Sequence, residues 1–380
     1  MKKITNKLFG LCIALAFVSC REDEIIFPST DVSVAAPRND GNIQGFYLLN
    51  EGNMGMNRAS IDVFNYTTGN YTTDIYSERN PSVVKELGDV GNDIKIYGNK
   101  VYAVINVSNK VEVIEKWSAK RIKKIDIPNC RYVSFYKDKA YVSSYSGPVA
   151  INPNAELGFV AELDTISLEI KRKVTVGYQP EQMVVHNGKL YVANSGGYRV
   201  PNYDRTVSVI DLETFTEIKK IDVGINLSKM EIDSRGDIYV SSRGDYYNTP
   251  SNLFVIDTQT DEKKMQLDIP VSGMCMVEDI LYFYSVSWSY LTGSNKVTYG
   301  TFDTKTKKII NDKIITDGTD KQIIIPYGLQ VNPETKEIFI TDAQNYVVTG
   351  YIYCFTPEGK LKWKTTAGNI PAHIAFITKK

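Results

Sequence analysis

The residues that could perform catalysis are few, and they form no recognisable catalytic pattern. The sequence holds two histidines, His186 and His373, and two are too few for a metal cluster of histidine ligands. Four carboxylates fall in loops that we place below on one face of the fold: Glu51, Glu181, Asp204 and Asp245. No spacing pairs two of them at the distance that general acid and base catalysis needs. We therefore expect no catalytic residue, no metal site and no catalytic cofactor.

Aromatic, amide and arginine side chains in the same loops favour binding instead. Tyrosine and tryptophan supply broad contact area at low rotamer cost, and amides donate and accept hydrogen bonds. The candidate ligand contacts are Asn53, Arg58, Asn152, Tyr178, Tyr198, Arg199, Asn202, Tyr203, Arg243, Tyr246, Tyr247, Trp288, Tyr290, Tyr327, Tyr346 and His373. Two other interpretations stay open, namely that the loop aromatics only cover their own part of the fold and that His373 bonds to backbone.

A repeated unit must position these residues. Residues 180–224 contain four short runs of alternating apolar and polar residues separated by turn signals, a pattern typical of antiparallel hairpins. The second run, an apolar residue followed by Tyr or Phe, occurs seven times: Phe46-Tyr47, Val101-Tyr102, Ala140-Tyr141, Leu190-Tyr191, Ile238-Tyr239, Leu281-Tyr282 and Ile338-Phe339. Seven units of roughly 48 residues are close to the period of propeller blades.

The two ends of the repeat region predict how the ring closes. The last first-strand run, at residues 373–378, has no second strand after it, and Phe46-Tyr47 has no first strand before it. We expect these two runs to pair and to complete one sheet. The predicted fold is an all-β, seven-bladed β-propeller of four-stranded antiparallel blades over residues 43–380. A solenoid is the competing architecture, but it leaves both end strands unpaired.

Loop lengths distinguish the two faces of this ring. The hairpins between first and second strands are tight and polar, whereas the connections between second and third strands are longer and differ from one another. Aligning the seven first strands places these residues at the mouth of a central channel: Asp93, Tyr132, Gln182, Lys229, Gly273, Gly328 and His373. Most are polar, so the mouth is predicted to hold water or a ligand.

Composition excludes a nucleic-acid partner and a disulfide framework. The chain has 44 basic and 44 acidic residues, so it carries no basic field that would hold a phosphate backbone. Of five cysteines, Cys12 and Cys20 belong to the leader described next. The remaining Cys130, Cys275 and Cys354 form no CxxC motif and are predicted to be buried free thiols.

The N-terminus has the features of a targeting sequence. Residues 1–19 have a basic head, an apolar core too short for a permanent membrane span and a small residue at the cleavage point. Phe17-Val18-Ser19-Cys20 resembles a lipobox, with Phe17 in place of the usual Leu, and this implies lipidation at Cys20. Arg21-Glu22-Asp23-Glu24 resembles the export tag of Bacteroidetes surface lipoproteins, and residues 20–42 as a whole are predicted to be anchor, tag and tether. A plain secretory signal with an incidental cysteine, followed by a solvated linker, is the alternative.

The repeat and the leader together resemble a known family. Repeats of the type LYVANSGG, VSVIDLET and KKIDVG look like those of YncE-type seven-bladed propellers, over about residues 43–380. With the lipobox and the tag, the chain resembles the BtuG-type surface lipoproteins of Bacteroides. The resemblance implies capture of cobalamin or a related corrinoid, transfer to a TonB-dependent outer-membrane transporter, and a position on the outer face of the outer membrane held by the lipid alone.

Two other functions remain open from the sequence. A glycan-binding or protein-interaction module would use the same loops without small-molecule capture, since propellers host many functions. A polysaccharide lyase or hydrolase would need the carboxylates and His373 to converge at the mouth. The shortage of histidine and the absence of a paired acidic motif argue against the enzyme.

Overall fold

The alternating runs fold into short antiparallel strands. The computed structural model describes residues 29–83, 86–289 and 294–379. The strands in chain order are β1 (Asp31–Ser33), β2 (Ile43–Asn50), β3 (Ser60–Asn65), β4 (Asn70–Thr72), β5 (Gly91–Tyr97), β6 (Lys100–Ile105), β7 (Lys110–Glu115), β8 (Arg121–Asp126), β9 (Cys130–Tyr136), β10 (Lys139–Ser144), β11 (Phe159–Asp164), β12 (Ile170–Thr175), β13 (Pro180–His186), β14 (Lys189–Asn194), β15 (Thr206–Asp211), β16 (Thr216–Asp222), β17 (Leu227–Ile232), β18 (Asp237–Ser242), β19 (Asn252–Asp257), β20 (Glu262–Gln266), β21 (Gly273–Val277), β22 (Ile280–Ser289), β23 (Ser294–Asp303), β24 (Lys308–Asn311), β25 (Pro326–Val331), β26 (Ile338–Asp342), β27 (Thr349–Phe355), β28 (Leu361–Asn369) and β29 (Pro371–Thr378). A short helix, α1 (Ile75–Arg79), and a 3-10 turn at Thr319–Gln322 lie between strands.

The strands form seven antiparallel sheets in a ring, which confirms the predicted seven-bladed propeller. Blades 2 to 7 are the consecutive strand groups β5–β8, β9–β12, β13–β16, β17–β20, β21–β24 and β25–β28. Blade 1 has the order β29, β2, β3, β4, β1, so its innermost strand comes from the C-terminal end of the chain. Pairing of β2 with β29 closes the ring, with Tyr47 opposite Ala375 and Leu49 opposite His373.

Blade 1 has one strand more than the repeat predicts. Within the segment predicted as a tether, Asp31–Ser33 form β1 and pair with Asn70–Thr72 of β4. The side chain of Asp31 also accepts hydrogen bonds from Asn70 and Thr72 at 2.7 and 2.8 Å. This edge strand is short and exposed and lacks the alternating pattern of the repeat, which is why the repeat search does not find it.

The hydrophobic core consists of layers between blades. In the described residues, seven clusters of buried apolar side chains occur, and each combines residues of two neighbouring blades. At the closing interface Phe46 packs against Phe64 of its own blade, with ring centroids 5.3 Å apart, and against Phe339 of blade 7 at 4.9 Å. A single sheet cannot bury both of its faces, so ring closure is what completes the last of these layers.

Turn geometry separates the two ends of the ring as predicted. On one face, tight hairpins join first and second strands, and in blade 4 both turn residues, Asn187 and Gly188, have positive φ. Such two-residue turns match the twist of paired strands. The opposite face carries the long connections between second and third strands, and we call it the loop face.

Three cysteines are buried free thiols, in agreement with the sequence prediction. Cys130, Cys275 and Cys354 are buried and unpaired in the part of the chain that the structure describes. Within that part no helix is long and apolar enough to cross a membrane. The predicted signal at residues 1–19, the lipidation site Cys20 and the acidic tag lie outside the described residues.

Candidate ligand site at the channel mouth

The innermost strands of all seven blades surround one central cavity of about 680 Å³. Its lining includes every residue that the strand alignment assigned to the channel, namely Asp93, Tyr132, Gln182, Lys229, Gly273, Gly328 and His373. The prediction that these residues line a central channel is therefore confirmed. The loop face forms the rim of this cavity because Pro180, Pro326 and Pro371 begin innermost strands there.

Two of the polar channel residues hold neighbouring blades together. The Oδ2 atom of Asp93 accepts a hydrogen bond from the backbone N–H of Val133 in the next blade, at 3.0 Å. The Oε1 atom of Gln182 likewise accepts a hydrogen bond from the backbone N–H of Met230 in the next blade, also at 3.0 Å. A buried backbone donor needs such a partner, so these two side chains are engaged in the scaffold.

The strongest electrostatic feature of the mouth is a carboxylate shared by two arginines. Glu181, at the start of β13, is only 1% exposed. Arg131 of blade 3 and Arg243 of blade 5 each approach one of its oxygens to 3.1 Å. The Tyr145 hydroxyl donates a further hydrogen bond to Glu181, and the Arg131 guanidinium lies 4.6 Å from the Tyr145 ring centroid. Three blades are therefore connected through one carboxylate.

The charges in this group stabilise one another. Burial alone would raise the pKa of Glu181, but Arg131 and Arg243 outweigh it and lower that pKa to about 2. Burial would lower the pKa of Arg131, and Glu181 reverses this and raises it well above the usual range. The group is permanently ionised at neutral pH, and it has one more positive than negative charge.

Sequence reasoning did not single out Arg131 and Tyr145, and it treated Glu181 only as a loop carboxylate. A signal was present in the strand alignment. Arg131 and Glu181 directly precede the aligned channel residues Tyr132 and Gln182. Arg131 and Glu181 therefore form a second layer of the mouth, nearer to the loop face.

On the opposite side of the mouth, the ring closure brings His373 to Glu51. The His373 Nε2 atom lies 3.2 Å from Oε1 of Glu51, and the Tyr327 hydroxyl donates to Oε2 at 2.9 Å. The Tyr346 ring lies 5.9 Å from the Tyr327 ring, edge to face, and the Asn53 amide donates to the Tyr346 carbonyl. The predicted residues thus form one continuous patch, which consists of Asn53, Tyr327, Tyr346 and His373. The His373 ring contacts the carboxylate of Glu51, whereas the alternative interpretation had it bonded to backbone.

Lys229 reaches the mouth from blade 5. Its ammonium donates to the Tyr132 hydroxyl at 3.0 Å. The Tyr132 ring also lies 6.5 Å from the His373 ring. Tyr132 therefore stands between the arginine side and the His373 side of the mouth, and it makes the two parts one surface.

The blade 4 loop contributes a second aromatic group. The Arg199 guanidinium stacks 3.5 Å above the Tyr178 ring centroid and donates to the Asn202 carbonyl at 2.8 Å. The Tyr198 ring lies 6.3 Å from the Tyr145 ring, next to the Glu181 group. Asn152 of the blade 3 loop donates its backbone N–H to the Tyr198 carbonyl at 2.8 Å, so loops 3 and 4 support each other.

The remaining predicted contacts are distributed unevenly. Tyr246 and Tyr247 project from the blade 5 loop and are 64% and 85% exposed. Tyr203 of the blade 4 loop lies near Tyr246, and its partial burial and this neighbour raise its pKa. Arg58 is not at the mouth, because it lines a separate cavity of about 710 Å³ between blades 1 and 7. Tyr290 and the side chain of Trp288 lie outside the described residues.

Two carboxyl groups at the mouth and in the channel differ widely in pKa. Glu181 has a pKa of about 2, too low for a general acid at neutral pH. Glu231 lies deeper in the channel, and burial raises its pKa to about 7 against the opposing effect of Lys95. In the described part of the chain, no group of three or more His, Cys, Asp or Glu residues could hold a metal ion.

Comparison with solved structures gives the same fold at low sequence identity. A quinoprotein alcohol dehydrogenase-like protein from Bacteroides thetaiotaomicron is similar with a TM-score of 0.58 and 14% identity, over 90% of this chain and 80% of that one. Hydrazine synthase from Kuenenia stuttgartiensis is similar with a TM-score of 0.56 and 14% identity, over 70% of this chain and 76% of that one. At this identity the likeness concerns the fold alone.

Comparison with known sequences gives a family without an assigned activity. The family model described as "Domain of unknown function (DUF5074)" matches residues 44–366, which cover nearly the whole propeller. No curated protein matches the sequence significantly.

Proposed function

The chain belongs to the DUF5074 family, and we propose that it is a cell-surface binding protein that captures cobalamin or a related corrinoid on the loop face and passes it to a TonB-dependent outer-membrane transporter. It binds this ligand without converting it. The observation that carries the proposal is the convergence of Tyr132, Tyr327, Arg131, Arg243 and Lys229 on the mouth of one cavity, inside a rim of exposed apolar side chains.

The rim has the composition of a contact surface. Large apolar side chains on second-to-third-strand loops of four different blades are exposed: Met54, Ile151, Tyr246, Tyr247, Val347 and Val348. Exposed apolar residues on several loops around one cavity favour a partner that covers them. The ligand would lie across this rim with one group entering the channel, because a cavity of about 680 Å³ is in the size range for drug-sized ligands.

A corrinoid matches the mixture of groups at this face. Its ring is broad and apolar, and its margin carries amides that pair with both donors and acceptors. Tyr198, Tyr246 and Tyr247 offer apolar area, while Asn202 and Arg199 offer polar groups next to it. The family resemblance of the repeat and of the leader adds the expectation of a surface lipoprotein, which is where a capture protein would act.

Gel filtration with cyanocobalamin tests the proposal. The purified chain from residue 21 onward is mixed with cyanocobalamin at micromolar concentration, and absorbance at visible wavelengths is followed across the protein peak. We expect the coloured ligand to travel with the protein. Titration calorimetry on Tyr247→Ser should show weaker binding, whereas Ile166→Ser, which removes an apolar side chain 78% exposed on an outer turn, should bind as the wild type does. Absence of colour in the protein peak would refute corrinoid capture.

A second candidate is a protein-interaction module that uses the same rim. The exposed Tyr246 and Tyr247 favour it, because aromatic residues on protruding loops are frequent anchors of protein interfaces. Detergent-solubilised outer membranes supply the test. A TonB-dependent transporter should copurify with the wild type and not with the Tyr246→Ser, Tyr247→Ser double variant. If it copurifies while cyanocobalamin does not bind, the interaction role stands alone.

A further inference from the structure

The mouth contains a cation, Lys229, that forms no close ion pair with any of the described carboxylates. Lys229 lines the central cavity, and its ammonium donates to the Tyr132 hydroxyl at 3.0 Å. Among the described residues, no carboxylate oxygen lies within 4.0 Å of this nitrogen. Burial alone would lower the pKa of Lys229, but Tyr132 and the more distant Glu51 outweigh burial and raise it, so the lysine is charged at neutral pH.

Two carboxylates near the mouth, Glu181 and Glu51, already have other partners. Glu181 is shared by Arg131 and Arg243 at 3.1 Å each, and Glu51 accepts from Tyr327 at 2.9 Å and contacts His373 at 3.2 Å. Arg243 is close enough to Lys229 for the two positive charges to repel each other, which lowers the pKa of Lys229. Blades 3 to 5 therefore bring Arg131, Arg243 and Lys229 to the mouth around Glu181. Glu231 of blade 5 also interacts with Lys229, but it lies deeper in the cavity and burial raises its pKa to about 7.

Such an excess of positive charge is unfavourable until an anion joins it. Partly buried charges are stable when they are paired and hydrogen-bonded. Lysine and arginine side by side are frequent partners of phosphate and carboxylate oxygens, and charge-assisted hydrogen bonds of this kind are roughly twice as strong as neutral ones. The cavity beside Lys229 leaves space for the group that would supply this anion.

We infer that Lys229 and Arg243 form an anion subsite at the channel mouth, and that it takes the singly charged phosphodiester of the ligand. The inference rests on the proposed function, since cobalamin carries one phosphodiester in the loop that links its corrin ring to the lower base. The subsite also sets the orientation of the ligand. The phosphodiester side faces blades 3 to 5, and the amide margin faces Glu51, His373 and Tyr327.

Two corrinoids distinguish this subsite from general binding of the ring. Cyanocobalamin contains the phosphodiester, and dicyanocobinamide lacks the nucleotide loop that carries it. We expect the wild type to bind cyanocobalamin at least about tenfold more tightly, as one charge-assisted contact would produce. Lys229→Met should lose most of this preference and Lys229→Arg should keep it. Equal losses for both corrinoids in Lys229→Met, or no loss for either, would overturn the subsite.

A matched control exists in the same cavity. Lys95 also lines the channel, but it lies 4.0 Å from Asp93. Lys95→Met removes the same charge as Lys229→Met and should keep the preference for cyanocobalamin. Equal melting temperatures of the two variants confirm that a difference in binding does not come from unfolding.

A small anion separates the subsite from the corrinoid proposal. Dimethyl phosphate is a singly charged phosphodiester, and its phosphorus NMR line should broaden with the wild type and with Lys95→Met but not with Lys229→Met. Broadening without cyanocobalamin binding would refute corrinoid capture and leave the anion subsite standing. If cyanocobalamin binds but the dimethyl phosphate line does not broaden, the anion subsite is refuted and corrinoid capture stands.

Discussion

The Nε2 atom of His373 lies 3.2 Å from the Oε1 atom of Glu51, although 322 positions separate the two residues in the chain. They meet because His373 is on β29, which pairs with β2, and β2 ends at Asn50 directly before Glu51. The pairing that closes the ring therefore also builds one side of the channel mouth. Stability of the ring and geometry of the site depend on the same two strands.

Loss of the Phe46 side chain should weaken ring closure. Phe46 is fully buried and contacts Phe64, Phe339 and Phe376 across blades 1 and 7. Phe46→Ala leaves a cavity at this interface, so we expect a loss of about 3–5 kcal/mol in the free energy of unfolding. Urea denaturation followed by circular dichroism measures it. A loss below about 1 kcal/mol would show that the closing interface is not important for stability.

Replacement of Glu181 should destabilise the protein strongly at neutral pH. Glu181→Gln leaves Arg131 and Arg243 without a counter-charge, and removing one partner of a buried ion pair costs about 3–5 kcal/mol. Glu169→Gln is the control, because Glu169 pairs with Lys171 at 3.2 Å with 61% of its side chain exposed. An exposed pair of this kind contributes about 0–1 kcal/mol.

The effect of Glu181 should also depend on pH in one direction. Its pKa falls from 4.5 to about 2 on folding, so its ionised form is favoured by the folded state. That contribution is fully present above pH 4.5 and is lost as the pH falls toward 2. Melting temperatures of the wild type and of Glu181→Gln should therefore converge between pH 4.5 and 2. A constant gap over this interval would contradict the shift.

Replacement of Glu231 should have the opposite sign. Burial raises the pKa of Glu231 from 4.5 to about 7, so the folded state favours the protonated acid, and the wild type loses stability as the pH rises from 4.5 to 7. Glu231→Gln removes this loss. We expect it to be more stable than the wild type at pH 8 by about 1 kcal/mol, a value reduced for the wet channel, and nearly equal at pH 4.5. Calorimetric melting at both pH values decides it, and a variant less stable than the wild type at pH 8 would be evidence against the raised pKa.

The hydrogen bond from Tyr327 to Glu51 should contribute to the stability of the protein. Glu51→Ala leaves the Tyr327 hydroxyl without its acceptor, and an unsatisfied buried donor costs about 1–3 kcal/mol. Tyr327→Phe removes the donor itself and should cost about 1 kcal/mol. In the double variant the two losses should be less than additive, because both remove the same hydrogen bond. Full additivity in urea denaturation would show that this bond contributes nothing.

The architecture of this protein could be read from the sequence because it depends on local and repeated information. Alternation in each run, turn residues between runs and seven copies of the second-strand pattern predicted the blades. The unpaired end runs predicted that β29 joins β2. Alignment of the copies also predicted which residues line the channel, since equivalent positions in repeated units meet at the same height around a central axis.

The chemistry of the mouth was decided only by the tertiary structure. Arg131, Glu181 and Arg243 belong to three different blades. Their spacing in the sequence does not indicate that both arginines contact the carboxylate of Glu181. Arg58, like Arg243, lies in a connection between a second and a third strand, yet it lines the cavity between blades 1 and 7. Backbone periodicity determines where a strand begins. Contacts between distant blades determine the path of each long loop and which charged groups lie opposite each other across the channel. The sequence by itself therefore determined the ring and its channel. Only folding in three dimensions determined which charges at the mouth form close ion pairs and that Lys229 forms none with the described carboxylates.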